Sequence, residues 1–111
     1  MSFGPVRGST TGRPIMVLFD ILGQRWSLRI LWELRQGPLT FRALRDACDG
    51  ASPTVLNTRL KALRQLGLVD LGPDGYLRTA DGDDLGKRLA DLDRWANAWA
   101  DRSDPEGQQQ S

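Results

Sequence analysis

The chain has 111 residues and a formal net charge of +1, and its apolar fraction of 40% is that of an ordinary single folded domain. It contains no histidine, which removes the commonest general base and the usual zinc ligand. Its one cysteine excludes a disulfide or a cysteine-based zinc site within the chain. No apolar run approaches the roughly 18 residues that span a bilayer, and the start of the chain lacks the apolar core of a signal peptide. We therefore expect a cytoplasmic binding domain without a cofactor, and not an enzyme.

The charge is unevenly distributed along the chain. Residues 1–79 contain 11 basic and 6 acidic residues, whereas residues 80–111 contain 4 basic and 8 acidic residues. A chain with one basic part and one acidic part can meet a polyanion on one face only. The split is a hint of nucleic-acid binding, although a random scatter of surface charge also produces such a split.

Helix-capping and helix-breaking residues divide the first half of the chain into three short predicted helices. The signals, in chain order, are Pro14 as a first helical residue, Gly23 as a stop, Ser27 as an N-cap, Gly37-Pro38 as a stop and Thr40 as an N-cap. In the third helix, Phe41 to Cys48, the side chains of Phe41, Leu44 and Cys48 share one face, so we expect them to face a core.

The strongest helix start is Ser52-Pro53, a capping hydroxyl followed by proline at the first helical position. The apolar residues that follow are spaced 4, 3 and 3 apart, so one stripe of this helix faces a core: Leu56, Leu60, Leu63 and Leu66. Gly67 is a good left-handed C-cap, which places the end of the helix there.

The pattern then changes to that of a hairpin and a long final helix. Leu68–Leu71 and Tyr76–Thr79 flank Gly72-Pro73-Asp74-Gly75, which predicts two short strands with a tight Asp-Gly turn. Thr79 caps the last helix, and its acidic first turn suits the positive end of the helix dipole.

The last helix carries a heptad seam with Trp95 beside it. The seam residues are Leu85, Leu89, Leu92, Ala96 and Trp99. Such a helix at the end of a small domain needs a surface to pack against, which either the first helix of the same chain or a second copy supplies. We expect a homodimer in which the partner subunit supplies much of that surface, with Leu18 and Leu22 in the same interface.

The element order α-α-α-α-β-β-α describes a winged helix-turn-helix. The predicted fold class is α+β, mostly α, with a short two-stranded wing and N- and C-terminal dimerisation helices. The helices at 41–48 and 52–67 form the helix-turn-helix pair. We place the domain at residues 13–102, with flexible tails at 1–12 and 103–111.

Several short segments resemble, in the right order, the motifs of the HxlR-type bacterial transcriptional regulators of the MarR-like superfamily. The resemblance covers residues 13–100, and the segments are Leu22-Gly23-Gln24-Arg25-Trp26-Ser27, Gly37-Pro38-Leu39-Thr40-Phe41-Arg42-Ala43-Leu44-Arg45, Ala51-Ser52-Pro53-Thr54-Val55-Leu56, Arg59-Leu60-Lys61-Ala62-Leu63, Leu66-Gly67-Leu68-Val69, and Tyr76 to Leu85. The resemblance implies a dimeric, DNA-binding regulator that acts at promoters.

The chain departs from the family pattern at three places. Arg13-Pro14 stands where the family often has Cys-Pro, so the oxidant or electrophile sensing of some members is not expected here. The wing is short, and its only charged turn residue is Asp74, which argues against deep minor-groove contact. Arg78 stands where leucine is usual.

The expected DNA-reading residues lie at the start of the helix at 52–67, because a recognition helix reads bases with its N-terminal residues. Ser52, Pro53, Thr54, Asn57 and Thr58 are the candidates, since asparagine can pair with adenine and threonine can contact a thymine methyl. Further candidates for phosphate or guanine contacts are Thr40, Arg42, Arg59, Lys61 and Arg78. An ordinary amphipathic surface helix carries such residues too.

The remaining aromatic and sulfur side chains have simple interpretations. We expect Trp26 and Trp32 in the core and Cys48 as a small buried hydrophobe. Trp95 and Trp99 lie one turn apart, which suits interface packing or the wall of a ligand pocket. A small-molecule effector of unknown identity is therefore a further candidate partner, beside double-stranded DNA and a second copy of the chain.

The sequence thus predicts a regulator that binds a pseudo-palindromic operator as a homodimer. Regulation would come from a change in the angle between the two winged domains. The alternative is a winged-helix module that binds another protein, which the short wing and the modest basic charge favour.

Overall fold

The computed structural model describes residues 13–103, a series of short helices followed by a hairpin and one long helix. The elements are α1 (Pro14–Leu22), α2 (Ser27–Glu33) continued by a 3₁₀ turn (Leu34–Gln36), α3 (Phe41–Ala47), α4 (Pro53–Gln65), β1 (Val69–Gly72), β2 (Gly75–Arg78) and α5 (Ala80–Ser103). This order confirms the predicted winged helix-turn-helix. The tail predicted at 1–12 lies outside the described residues, as does the tail predicted at 103–111 except Ser103, which ends α5.

Local hydrogen bonds explain where three of the helices begin. The Oγ atoms of Thr40 and Ser52 accept the backbone N–H three residues on, each at 3.1 Å. Thr79 Oγ1 accepts the N–H of Gly82 at 3.0 Å. Each side chain satisfies an N–H group that the first helical turn leaves without a partner. The three caps predicted from the sequence are confirmed.

The end of α4 is a Schellman motif. Gly67 has a left-handed φ of +75°, its N–H donates to the Arg64 carbonyl at 2.9 Å, and the N–H of Leu68 donates to the Leu63 carbonyl at 3.0 Å. The predicted glycine C-cap is therefore confirmed, and it turns the chain directly into β1.

Two local predictions were wrong in detail. Ser27 is not the N-cap of α2 but its first residue, fully buried, and Trp26 holds the cap position with a left-handed φ of 79°. In the hairpin, Gly72 pairs with Gly75, so the turn consists of Pro73-Asp74 rather than Asp-Gly. Proline fixes its own φ near the value that the first turn position requires, which favours this register.

The core lies where α2, α3 and α4 meet the hairpin. The predicted stripe of α4 faces it, with Leu56, Leu60 and Leu63 essentially inaccessible. Leu44 of α3 and Cys48, which follows the last residue of α3, are also fully buried there, as expected. The prediction that Trp32 lies in the core was wrong, because this residue is 52% exposed, and Trp26 is only half-buried. In α2 the side chains of Ile30 and Leu31 face the core, and Trp32, the next residue, therefore lies on the outer face of the helix.

The hairpin is tied to the helix-turn-helix through the segment before α3. The N–H groups of Leu39 and Tyr76 donate to each other's carbonyls at 2.9 and 2.8 Å, which adds a one-residue third strand. Gly75, at φ +122°, permits this approach, since a Cβ there would overlap the Leu39 carbonyl. The wing therefore holds a fixed position beside α3.

Candidate nucleic-acid interface

The helix-turn-helix pair presents one face of α4 to solvent. The turn between α3 and α4 passes through Gly50, at φ +88°, and the buried Ala51. The leucine stripe of α4 packs inward on the core. The opposite face of its first two turns is thereby left exposed.

The predicted reading residues share that face. Thr54, Asn57, Thr58 and Lys61 are all exposed and recur at helical spacings of three and four. Thr58 Oγ1 donates to the Thr54 carbonyl at 2.9 Å, which orients its methyl group and leaves its oxygen free to accept. Within residues 13–103, the side chains of Asn57 and Lys61 make no hydrogen bond or ion pair, so both can reach a ligand.

Ser52 and Pro53 are exposed at the start of α4, where the Ser52 hydroxyl caps the helix. Arg59 lies on the flank of α4 and is half-buried. Its Nε donates to the Arg25 carbonyl at 2.8 Å, which ties α4 to the connection between α1 and α2. The sequence did not reveal this bond, because its partners lie 34 residues apart.

Two candidate phosphate contacts lie at the start of α3. Arg42 is exposed, and in the part of the chain that the structure describes its guanidinium has no partner. Thr40 is also exposed, with its Oγ1 accepting from Ala43. Arg45, one turn after Arg42, is a further exposed cation of α3 that we did not single out from the sequence.

Arg78 does not belong to this surface, contrary to the prediction from its place on the second wing strand. Its Nε and Nη2 donate to the Leu31 carbonyl at 2.8 and 2.6 Å, and only 12% of the side chain is exposed. Burial lowers the pKa of Arg78, while nearby Asp83 opposes that shift. The guanidinium is therefore a structural contact between β2 and α2, and we remove it from the candidate phosphate contacts.

The predicted dimerisation residues fall into two groups. Leu22 is buried in the core of its own chain, and Leu18, Leu85 and Leu89 are half-buried against that core. These residues therefore stabilise the single chain, and Leu22 is not free to contact a partner. The sequence pattern could not separate them from interface residues, because both occupy apolar helical positions.

The distal part of α5 and the outer face of α1 are exposed and apolar. Leu92, Trp95 and Trp99 are 55%, 57% and 51% exposed, and the two indole rings stack in parallel with centroids 6.0 Å apart. On α1, Ile15 and Phe19 are exposed to a similar degree. The same character extends to Leu28 and Trp32 of α2, which the sequence analysis missed as surface residues.

A groove of about 740 Å³ runs between α2 and α5. Its walls include Leu28, Trp32, Leu89, Leu92 and Ala96. Ala96 is half-buried at the edge of this apolar surface.

Cys48 is fully buried, as expected. Burial raises the pKa of its thiol, partly offset by the nearby cation of Arg29. A raised pKa keeps the sulfur protonated and weakens it as a nucleophile.

Over residues 13–103, no three histidine, cysteine or acidic side chains cluster closely enough to hold a metal ion. No helix in that range is long and apolar enough to cross a membrane.

The comparisons with known proteins agree with this architecture. The family model described as HxlR-like helix-turn-helix matches residues 21–104. An HTH-type transcriptional regulator of Bacillus subtilis, YvaP, is 34% identical over 91 residues, covering 76% of this chain and 84% of the relative. An archaeal regulator of the same type, MJ0925 from Methanocaldococcus jannaschii, is 24% identical and covers 81% of this chain and 89% of its own length.

Solved structures show the same fold. The quinone-bound YodB of Bacillus subtilis superposes with a TM-score of 0.71 at 28% identity, covering 76% of this chain and 96% of YodB. A MarR-family regulator from Enterococcus faecalis V583 gives a TM-score of 0.73 at 26% identity, covering 86% of this chain and 96% of that protein. These relatives are transcriptional regulators, which are not enzymes. The chain belongs to the HxlR-like helix-turn-helix family of transcriptional regulators.

Proposed function

We propose that this protein binds a pseudo-palindromic operator in double-stranded DNA as a homodimer, with α4 of each subunit in the major groove. The observation that carries the proposal is the exposed polar face of α4, the second helix of the helix-turn-helix. Among the described residues, Asn57 lies unpaired in the N-terminal half of this helix and Lys61 lies unpaired one turn further on. A helix of this width fits the major groove, and in this motif its N-terminal residues meet the base edges. Since chromosomal DNA is the ligand, the protein acts in the cytoplasm.

Each exposed group of α4 has a distinct role in this proposal. Asn57 pairs with adenine through its amide, which can donate and accept at once, and the methyl groups of Thr54 and Thr58 contact thymine methyls. Lys61, one turn further on, and Arg42 on α3 contact phosphates, which supplies affinity without sequence information. The turn of the wing offers Asp74 as its only charge, so the wing adds little to phosphate binding.

The homodimer is supported by the exposed apolar surface of α1 and distal α5. Contiguous apolar surface of this kind marks an interaction site in soluble proteins. Leu92, Trp95 and Trp99 follow heptad-related spacing on one side of α5, as an interhelical contact requires. A two-fold symmetric dimer formed through this surface would present two α4 helices, one to each half-site of the operator.

The test is binding of the purified protein to a fluorescent fragment of its own upstream DNA, measured by anisotropy across a salt series. Asn57→Ala should reduce the preference for the operator over random DNA by about 10-fold, which corresponds to the loss of one bidentate base contact. Lys61→Ala should weaken binding to both DNAs and lower the salt slope by about one, because one phosphate contact is lost.

Asn97→Ala and Lys87→Ala are matched controls, because they remove the same side chains from exposed positions of α5. They should bind as the unmodified protein does. Weak binding that is indifferent to Asn57→Ala and Lys61→Ala would contradict the operator proposal. The protein-binding module would then be the better interpretation.

A further inference from the structure

We propose that Arg78 is a positioning residue that fixes the angle between α5 and the body of the protein, and through it the spacing of the two α4 helices in the dimer. The body is defined here as α1 to α4 with the hairpin. The inference rests on the proposed function, because the spacing of the two α4 helices affects DNA binding only when a dimer binds two half-sites. The contacts that carry it lie within one chain.

One guanidinium joins three elements. Arg78 is the last residue of β2, and its Nε and Nη2 both donate to the carbonyl of Leu31, in the last turn of α2. Its Nη1 lies 3.9 Å from a carboxylate oxygen of Asp83 on α5. Two bonds to one oxygen fix the plane of the guanidinium, and its cation lies at the negative end of the α2 dipole.

On the α5 side, the guanidinium occupies the space that a side chain would need. A Cβ at Gly86 would overlap Arg78 Nη1 and lie 2.8 Å from Cζ. One turn earlier, a Cβ at Gly82 would overlap the carbonyl oxygen of Leu68 in the body. In the first two turns of α5, beside the apolar contact of Leu85 with the core, two glycines approach the body closely, Gly82 against backbone and Gly86 against Arg78.

These two contacts differ in what they determine. Gly82 meets main chain next to the Thr79 cap, so it anchors the start of α5. Gly86 contacts the Arg78 side chain one turn further along the helix. The guanidinium therefore acts as a spacer that determines the angle between α5 and the body. The leucine usual at position 78 in the resembled pattern could make neither the bonds to Leu31 nor the contact with Asp83.

A small tilt at this joint has a large effect at the far end of the helix. The 24 residues of α5 span about 36 Å. A tilt of about 5° therefore moves the distal end by about 3 Å, close to the rise of one base pair, roughly 3.4 Å. The apolar residues expected to contact the partner subunit, Leu92 to Trp99, lie on that distal part. A change in the tilt of α5 therefore changes the distance between the two α4 helices of the dimer.

The first experiment measures which half-site spacing each variant prefers. Half-sites selected from random DNA by the unmodified protein are placed at the natural separation and at separations one to three base pairs longer or shorter. For Gly86→Ala and Arg78→Leu, we expect the optimum to shift by about one base pair, or the preference to flatten, with affinity for an isolated half-site within about twofold.

Lys87→Ala is the matched control, since it places alanine at the neighbouring, exposed position of α5, and it should keep the natural optimum. Arg78→Lys retains the charge but loses the forked pair of bonds, so it should behave like Arg78→Leu. Folded variants that all retain the natural spacing profile would overturn the proposal.

The second experiment needs no DNA. Nitroxide labels at Asp74→Cys and Arg102→Cys, both exposed, report the distance from the wing to the end of α5 within one chain, while the buried Cys48 stays unlabelled. Labelled chains are diluted into unlabelled ones, and the distance is read by pulsed electron resonance. We expect a change of about 3 Å in Gly86→Ala and Arg78→Leu, as the lever estimate gives, and none in Lys87→Ala.

The two readouts separate the two proposals. Unchanged label distances in both variants would overturn the role of Arg78, whatever the DNA measurements show. Shifted distances, together with a protein that has no two-site preference on DNA, would support the joint and contradict the proposed operator binding.

Discussion

The sharp connection between α1 and α2 ends at Trp26, and Ser27 begins α2. These two residues show what the packing of two helices requires of single side chains. Trp26 adopts φ 79°, which is rare for a large side chain, and the guanidinium of Arg25 lies 5.2 Å from the centre of its ring. Ser27 is fully buried, and its hydroxyl has no hydrogen-bond partner among the described residues. A polar group in this state opposes folding, because it loses its bonds to water without replacement.

Ser27→Ala should therefore stabilise the protein by about 1 kcal/mol, since it removes a buried unsatisfied hydroxyl and leaves a methyl group that fits the same space. Urea denaturation followed by circular dichroism measures the free energy of unfolding. The exposed Ser103 provides a matched control, and Ser103→Ala should leave that free energy almost unchanged. A loss of stability in Ser27→Ala would show that its hydroxyl has a partner in solution.

At the scale of elements, Thr79 links the hairpin, the end of α4 and the start of α5. Its Oγ1 accepts from the N–H of Gly82 and donates to the carbonyl of Gly67 at 2.5 Å. Ser52 Oγ caps α4 by accepting an N–H but makes no second bond within residues 13–103, and Ser52 is exposed. The two hydroxyls therefore differ in their number of bonds and in their burial.

Thr79→Ala should destabilise the protein by about 2 kcal/mol and Ser52→Ala by about 1 kcal/mol, because one loses a cap and a second bond while the other loses a cap alone. Thermal unfolding of both variants under the same conditions compares them directly. Thr79→Ser keeps the hydroxyl and should recover most of the loss. Equal effects of the two alanine variants would mean that the bond to Gly67 contributes little.

At the scale of the whole molecule, the described chain leaves its distal α5 and the outer face of α1 without partners. Two large indole rings more than half exposed on one helix are unusual for a protein that stays monomeric. A second copy would cover them without disturbing the core, since the buried cluster lies in the body.

Trp99→Asp should dissociate the proposed dimer into monomers, because a carboxylate on the contact surface must lose water on association. Sedimentation velocity measures the change, and operator affinity should fall more than about 10-fold as two half-sites are no longer bound together. Asn97→Asp adds the same charge at a heptad position that faces away from the seam, and it should remain dimeric. An unmodified protein that is already monomeric at micromolar concentration would contradict the dimer.

The sequence alone predicts the parts of this protein that depend on neighbouring residues. The caps at Thr40, Ser52 and Thr79 and the C-cap at Gly67 are local, because each side chain or backbone group bonds within a few residues of itself. The leucine stripe of α4 follows from helical period, and it leaves Thr54, Asn57, Thr58 and Lys61 together on the other face. Element order, fold class and the candidate reading face could therefore be predicted before the structure.

Only the tertiary structure decided where apolar and charged side chains go when several elements compete for them. Arg78 is drawn to a carbonyl 47 residues earlier in the chain, and Trp32 turns outward because Ile30 and Leu31 already face the core. Leu22 and Leu92 occupy equally apolar helical positions, yet one is buried and the other exposed. Such outcomes depend on contacts between residues far apart in the chain, and the spacing of residues along one helix carries no information about what packs against it.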